Sequence, residues 1–150
     1  MTRAVAFLKS QEISFETAEY DHDEKGAVFA SQAIGVPLEK TIKTLMVEFT
    51  PTAHLVVLMP GTKKIPFKQL ARIWGAKRAF MANEATAEGL SGYLVGGISP
   101  FAMTKRLPVA MDAGLLAFDR VAVNGGKRGL MVIMDPSDIL KVTGAEPVDL

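Results

Sequence analysis

The chain has 150 residues, 49% of them hydrophobic and 22% charged, and a formal net charge of +1, which indicates one ordinary globular domain over residues 1–150. It has no cysteine, and its two histidines, His22 and His54, lack the spacing of a zinc site, so we expect no disulfide, no thiol catalysis and no metal or other cofactor. No apolar run approaches the roughly 18–20 residues that span a bilayer, and the N-terminus is too charged for a signal peptide, so we expect a cytoplasmic protein without membrane contact.

The first half of the chain is predicted to alternate short helices with strands. Thr2 is placed to cap a helix whose Val5, Phe7 and Leu8 face inward. The patterns that follow predict a strand over 13–20, a polar loop, a helix over 27–35 that ends at Gly35, a hairpin of strands 42–49 and 54–59, and a helix over 66–75 with Leu70, Ile73 and Trp74 on one side.

The second half adds further short elements. The patterns predict a strand over 78–82, a helix over 83–90 capped by Asn83, extended segments over 106–112, 120–129 and 129–135, and a helix over 136–144. Asn124-Gly125-Gly126 between apolar runs is typical of a hairpin. Because helices and strands lack regular βαβ alternation, we predict an α/β (α+β) fold with a mixed, mostly antiparallel sheet and helices around it.

Two stretches could supply polar chemistry to a pocket. Lys43 opens the apolar strand "KTLMV", where a lysine can be a fixed cation for a carboxylate, a phosphate or a hydroxyl. From the pattern alone, an edge lysine whose ammonium lies in solvent is the favoured alternative. Tyr20-Asp21-His22-Asp23 ends a strand and could offer a phenol, an imidazole and carboxylates to a site, or form a solvated turn.

The glycine-rich stretch from Gly96 to Pro100 lacks the spacing of a dinucleotide fingerprint or a phosphate-binding loop. It can direct successive backbone N–H groups to one point, which would bind an anion or polarise a carbonyl, or it can be a plain turn. Ser99 has no general base nearby in the sequence, so it is a weak candidate for a nucleophile.

Three basic pairs lie in or beside loops. Lys63-Lys64, Lys105-Arg106 and Lys127-Arg128 would make a rim for phosphates if they converge, and separate solvated surfaces if they do not. A net charge of only +1 means that any contact with RNA must be local or assisted by a partner.

Five segments taken together resemble a known family. They are "YDHD" (20–23), "KTLMV" (43–47), "GYLVGGISPF" (92–101), "KRLPV" (105–109) and "GGKRGL" (125–130), in the order and spacing of the YbaK/EbsC family. This family is the free-standing relative of the editing domain of prolyl-tRNA synthetase. The resemblance runs from residue 3 to the C-terminus and is greatest to Cys-tRNA(Pro) deacylases of the YbaK type.

The resemblance implies a mixed, barrel-like sheet flanked by helices and an activity of trans-editing. A mischarged amino acid, cysteine from Cys-tRNA(Pro) in the first instance, would leave its tRNA when the substrate's own thiol attacks the ester. The implied partners are the 3′-terminal aminoacyl-adenosine of tRNA and a synthetase such as prolyl-tRNA synthetase, with the protein a monomer or weak homodimer. Release of another small amino acid, alanine or serine, and a non-catalytic RNA- or nucleotide-binding module are the alternatives.

The resemblance also implies a set of site residues. Lys43 matches the family's hallmark lysine, and the catalytic set is completed by Gly96, Gly97, Ile98 and Ser99. The residues expected to contact the substrate are Tyr20, His22, Phe29, Pro100, Gly125, Gly126, Lys127 and Arg128. Asn124 and Met131 stand where the YbaK-type pattern has serine and aspartate, which leaves open which amino acid is removed.

Overall fold

The computed structural model describes residues 1–21 and 26–150. Within those residues the chain forms five α-helices and eight strands, in an order close to the one predicted from the sequence. The unpredicted additions are two 3₁₀ turns, Leu38–Lys40 and Ala113–Ala117, and a last strand that is only three residues long. The elements are α1 Arg3–Ser10, β1 Phe15–Glu19, α2 Ala27–Ile34, β2 Ile42–Thr50, β3 Ala53–Pro60, α3 Phe67–Ile73, β4 Arg78–Met81, α4 Glu84–Ser91, β5 Val109–Asp112, β6 Val121–Asn124, β7 Leu130–Met134, α5 Pro136–Thr143 and β8 Glu146–Val148.

The strands form two open sheets. One has the order β1-β7-β6 and is antiparallel throughout. The other has the order β4-β2-β3-β5-β8, antiparallel from β4 to β3 and parallel from β3 to β8. The predicted mixed, mostly antiparallel arrangement is confirmed. The expected barrel-like sheet does not close and consists of these two open sheets. A parallel bridge between Thr41 and Ala122 connects them.

Local signals in the sequence set where helices begin and end. Thr2 Oγ1 accepts a hydrogen bond from Val5 N at 3.1 Å and starts α1, as predicted. Asn83 Oδ1 accepts one from Thr86 N at 2.8 Å and starts α4. Helix α2 ends where Gly35 adopts a φ of 73°, a left-handed conformation that costs glycine little.

Strand β3 is buried on both faces and separates two apolar clusters. Val56 and Leu58 belong to the larger cluster, which also holds residues of α1, β6, β7 and α5. Val57 and Met59 belong to a smaller cluster beneath α3, together with Leu70. A strand covered on both faces has no polar side to display, which explains why its sequence is a continuous apolar run.

The inner face of α3 differs from the prediction at one position. Leu70 is fully buried and Trp74 stacks on Phe49 with ring centroids 6.3 Å apart, but Ile73 is 48% exposed. The buried stripe passes through Phe67, Leu70 and Trp74, at the i, i+3, i+7 spacing of one helix face. Ile73 lies off that stripe, so the expectation that it faces inward is wrong.

The glycine loop, residues 92–101, packs directly against the turn between β6 and β7. The hairpin predicted at Asn124-Gly125-Gly126 is confirmed, although its turn runs as far as Gly129 before β7 begins. Gly97 is in backbone contact with this turn: a Cβ on Gly97 would lie 2.7 Å from Lys127 Cα and 2.9 Å from Arg128 N. The two loops are therefore joined at a point where no side chain fits.

This contact predicts a loss of stability for Gly97→Ala. The new methyl group meets backbone that cannot rotate away, so we expect the free energy of unfolding to fall by about 1–3 kcal/mol in urea titrations. Gly89→Ala is the matched control, because Gly89 lies inside α4 with open space around its Cβ position. We expect that variant to gain about 0.5–1 kcal/mol from helix propensity. Equal effects of the two substitutions would contradict the close packing.

Candidate active site

A cavity of about 430 Å³ lies where the two sheets meet. Its wall is built from the residue after β1, from α2, from the first half of β2, from the end of β4, from α4, from the glycine loop and from one residue each of β6 and β7. That volume is within the range of small-ligand sites, about 300–1,000 Å³.

The cavity lies beside a short stretch of β2 that, among the described residues, has no strand paired to it on one side, between the bridge at Thr41 and the start of β4 pairing at Val47. Strand β3 pairs with β2 from Ile42 to Phe49, whereas β4 pairs with β2 from Val47 onward. Ala82 N donates to Met46 O at 3.0 Å, so the backbone of Met46 is directed to the β4 side. Backbone direction alternates along a strand, and Thr44 therefore directs its own N–H and C=O to the same side, into the gap. The cavity is thus bordered by an open strand edge.

Lys43 lines this cavity, and its ammonium is held by a backbone group. Lys43 Nζ donates a hydrogen bond to the carbonyl oxygen of Lys63, in the loop after β3. Burial lowers the pKa of Lys43, and the neighbouring charge of Lys64 lowers it further. An ammonium has three donors, so two stay available after the bond to Lys63 is made.

Thr44 belongs to the cavity wall, and its hydroxyl is buried and has no partner among the described residues. Buried polar groups in folded proteins are nearly always hydrogen-bonded, and an unsatisfied one costs about 1–3 kcal/mol. Thr44 is therefore a point in the wall at which hydrogen-bonding capacity is unused. No local sequence pattern distinguishes Thr44 as a site residue, although it directly follows Lys43.

The glycine loop contributes less to the cavity than the sequence suggests. Gly96 and Ile98 line it, whereas Gly97, Ser99 and Pro100 do not. The N–H of Gly97 already donates to Leu94 O at 2.8 Å, so it is not a free donor for an anion. Ser99 is fully buried, and its hydroxyl accepts a hydrogen bond from Phe101 N at 3.3 Å. These contacts give Gly97 and Ser99 structural roles in the loop.

Tyr20 lines the cavity and is supported from outside by Phe29. Their ring centroids are 6.0 Å apart with an interplanar angle of 52°, and Phe29 itself does not line the cavity. Burial raises the pKa of the Tyr20 phenol, so the group stays a neutral hydrogen-bond donor at physiological pH. His22 lies outside the described residues.

The turn from Gly125 to Arg128 does not line the cavity either. It holds the glycine loop in place, since Arg128 Nε donates to Val95 O at 3.1 Å. Asn124, which does line the cavity, accepts from Gly126 N at 2.7 Å and donates to Gly96 O at 3.2 Å. Its amide therefore ties the two loops together.

Several wall residues have no signal in the sequence that distinguishes them from ordinary core. The wall is largely apolar, with Met46, Met81 and Met131 from three different strands or their ends and with alanines from α2 and α4. Glu84, at the start of α4, is the only carboxylate among the described lining residues. Met131 is almost fully buried and is apolar where the resembled pattern has an aspartate.

The three basic pairs do not converge on the cavity, since none of their residues lines it. Lys63 forms an ion pair with Asp112, and Lys127 Nζ lies 3.8 Å from Glu19 Oε1. A second hollow, of about 470 Å³, lies between α3 and β4, and the cations that line it are Lys68, Arg72, Lys77 and Arg78.

Within residues 1–21 and 26–150, no cluster of three or more histidine, aspartate or glutamate side chains is arranged to hold a metal ion. In the same ranges, no helix combines the length and the apolar character needed to cross a bilayer.

The fold and the cavity agree with the outcome of comparison with known families. The profile of the family described as the aminoacyl-tRNA editing domain matches residues 23–142. The match spans most of the chain, and the chain therefore belongs to the aminoacyl-tRNA editing domain family. The resemblance inferred from its sequence motifs is confirmed.

Two bacterial relatives and one solved structure show how the chain sits within this family. It is 26% identical over 147 residues to a protein of Enterococcus faecalis named as the Cys-tRNA(Pro)/Cys-tRNA(Cys) deacylase EbsC, with 97% of this chain and 90% of the relative covered. It is 27% identical over 152 residues to the multifunctional Ser/Thr-tRNA deacylase ProXp-y of Escherichia coli strain K12, with 98% and 90% covered. A structure described as a trans-editing enzyme for prolyl tRNA synthetase shares the fold, with a TM-score of 0.88, 24% identity and coverage of 99% of this chain and 94% of that one.

The environment of Lys43 predicts how its pKa responds to a neighbour. Lys64→Met removes a like charge, so we expect the pKa of Lys43 to rise toward its ordinary value of 10.5. The titration is followed through the ¹³Cε resonances of the lysines by NMR. Lys64→Arg keeps the charge and serves as the control, and an equal rise in both variants would show that charge repulsion is not the cause.

Proposed function

We propose that this chain is a trans-editing aminoacyl-tRNA deacylase, acting as one editing domain over residues 1–150. It would cleave the ester between a mischarged amino acid and the 3′-terminal adenosine of a tRNA. The observation that carries the proposal is the unpaired edge of β2, where Lys43, Thr44 and Gly96 line one cavity and the Thr44 hydroxyl has no hydrogen-bond partner among the described residues.

The proposed chemistry asks little of the protein beyond placement and hydrogen-bond donors. An aminoacyl ester is already activated, and its cleavage needs a positioned nucleophile and stabilisation of the developing oxyanion. Lys43 retains two N–H donors, and Thr44 offers its hydroxyl and its backbone N–H. The described lining residues include no serine, cysteine or histidine, which favours a nucleophile that comes from the substrate or from water.

We assign cysteine, released from Cys-tRNA(Pro), as the first candidate substrate. Its thiol sulfur would bond to the carbonyl carbon of its own ester, the C–O bond to the terminal ribose would break, and the ribose oxygen would leave with the thiol proton, which gives a cysteine thiolactone and free tRNA. This route suits a cavity whose described lining residues include no serine or cysteine. Met46, Met81 and Met131 offer polarisable, apolar surface to a thiol side chain. The relative EbsC is named for this substrate. Serine is the second candidate, because the Thr44 hydroxyl could pair with a substrate hydroxyl, and the relative ProXp-y is named for Ser/Thr-tRNA.

The cations near the start of β4 support an RNA partner. Arg78 and Ala79 line the basic hollow, whereas Met81 and Ala82 line the cavity, so the two sites lie at opposite ends of one short strand. At about 3.3 Å per residue they are roughly 10 Å apart. A polyanionic strand whose end enters the cavity would therefore pass close to Arg72 and Arg78, which can neutralise its phosphates.

Deacylation assays test the proposed function directly. Purified protein is mixed with tRNA(Pro) charged with cysteine, alanine, serine or proline, and the remaining aminoacyl ester is measured over time. We expect the cysteine ester to be lost fastest and the proline ester to be spared. Lys43→Met should lower the rate by about 10²-fold, as loss of an oxyanion donor does, with little change in the free energy of unfolding.

Each contrary outcome of these assays has a defined meaning. If all four esters persist at high protein concentration, the chain is a binding module that keeps the editing fold. If the alanine ester is cleaved and the cysteine ester spared, the thiol-assisted mechanism is wrong. An unchanged rate in Lys43→Met would make Lys43 a simple edge lysine.

The unpartnered hydroxyl of Thr44 gives an independent prediction. Thr44→Val removes the hydroxyl with little change in shape, so the folded protein should be as stable as before or slightly more stable. Deacylation should nevertheless fall about tenfold, in proportion to one lost hydrogen bond of about 1–1.5 kcal/mol in the transition state. Thr44→Ser restores the hydroxyl and is expected to recover most of the rate. A stability loss with unchanged deacylation would show that the hydroxyl serves the fold.

A further inference from the structure

Three distant parts of the chain meet beside Lys43. Lys63, in the loop after β3, directs its ammonium to Asp112 at the end of β5, with 2.9 Å between Nζ and Oδ2. The same ammonium donates to the carbonyl oxygen of Leu150 at 3.1 Å. The backbone carbonyl of Lys63 accepts the hydrogen bond from Lys43 Nζ. One residue thus connects the buried carboxylate to the cavity lysine.

Asp112 carries a buried carboxylate, which requires a cation nearby. Its side chain is only 2% exposed. One oxygen accepts a long hydrogen bond, of 3.5 Å, from Gly114 N, and the other has no hydrogen bond of good geometry from any described residue. A buried carboxylate is costly unless a cation compensates it. Lys63, whose side chain is about half exposed, is the cation within reach, and its position is therefore constrained by the need to neutralise Asp112.

The loop that carries Lys63 is fixed at two points. Gly61 N donates to Thr41 O at 2.8 Å, two residues before Lys43, and Lys63 is held by Asp112. The register of β5 with β8 pairs Asp112 with Val148, which brings the segment that ends at Leu150 alongside. The carbonyl of Lys63 consequently has one location relative to β2. It accepts one of the three N–H donors of the long, flexible Lys43 side chain.

We propose that the ion pair between Lys63 and Asp112 fixes the ammonium of Lys43, a residue of the cavity wall, at the carbonyl oxygen of Lys63, with Lys63 and Asp112 as positioning residues for the reaction. This inference rests on the proposed function for its catalytic consequence. The anchoring itself is a property of the folded chain and can be observed without a substrate. Misplacement of a reacting group by about 1 Å can cost up to about 10²-fold in rate, so a distant pair can matter for turnover.

The experiment reads the anchoring and the catalysis separately. In full-length protein labelled with ¹³C at lysine Cε, an immobilised Lys43 should show two separate Hε proton resonances, which are assigned by their loss in Lys43→Met. Asp112→Asn should merge these resonances, lower kcat for Cys-tRNA(Pro) about tenfold and leave KM within about twofold. Lys63→Met should have the same effects. Lys63→Arg keeps the cation and should retain most of the separation of the Hε resonances and most of kcat. Lys9→Met, an exposed lysine in α1, is the control.

A purely structural ion pair would give a different pattern. If Asp112→Asn lowers the free energy of unfolding but keeps the separate resonances and kcat, the positioning role is overturned. If Lys63→Met fails to fold because it leaves Asp112 unpaired, the double variant Lys63→Met/Asp112→Asn removes both charges and carries the same expectation. If the unmodified protein cleaves no aminoacyl-tRNA, the proposed function fails, and the Hε resonances alone decide whether the pair anchors Lys43.

Discussion

The site depends on one gap in the described part of the chain, the unpaired stretch of β2 between the bridge at Thr41 and the start of β4 pairing at Val47. Strand β4 covers β2 from Val47 onward, and before that point the described chain leaves the edge open. Unpaired strand edges are usually protected, since they invite pairing with other chains. Here the edge forms one wall of a cavity that α2, α4 and the glycine loop also line. The cavity and the direction of the Thr44 backbone groups both follow from that gap.

Much of the fold could be predicted from the sequence because local chemistry dictates it. Thr2 and Asn83 start helices through side-chain hydrogen bonds, and Gly35 ends one. Four of the predicted site residues, Tyr20, Lys43, Gly96 and Ile98, line one cavity. What that set does to a substrate stays a prediction.

The rest of the site could not be predicted, because it depends on contacts between segments far apart in sequence. Met46 and Met81 have the pattern of ordinary core residues, and nothing local indicates that they face a cavity. Lys63 looks like half of a surface pair, yet the buried carboxylate of Asp112 determines its position. Gly97 looks like a residue that frees backbone for a ligand, whereas its missing side chain makes room for Lys127.

The cavity wall has a main-chain part and a side-chain part, and the two differ in how readily mutation changes them. The edge of β2 presents main-chain groups, which side-chain substitutions other than proline leave in place. The facing wall of methionines and alanines can gain or lose volume with a single codon. Preference for one amino acid side chain over another can therefore drift while the hydrogen-bonding edge is inherited unchanged. Substrate preference can therefore change by single substitutions in the apolar wall, each of which leaves the hydrogen-bonding edge of β2 in place.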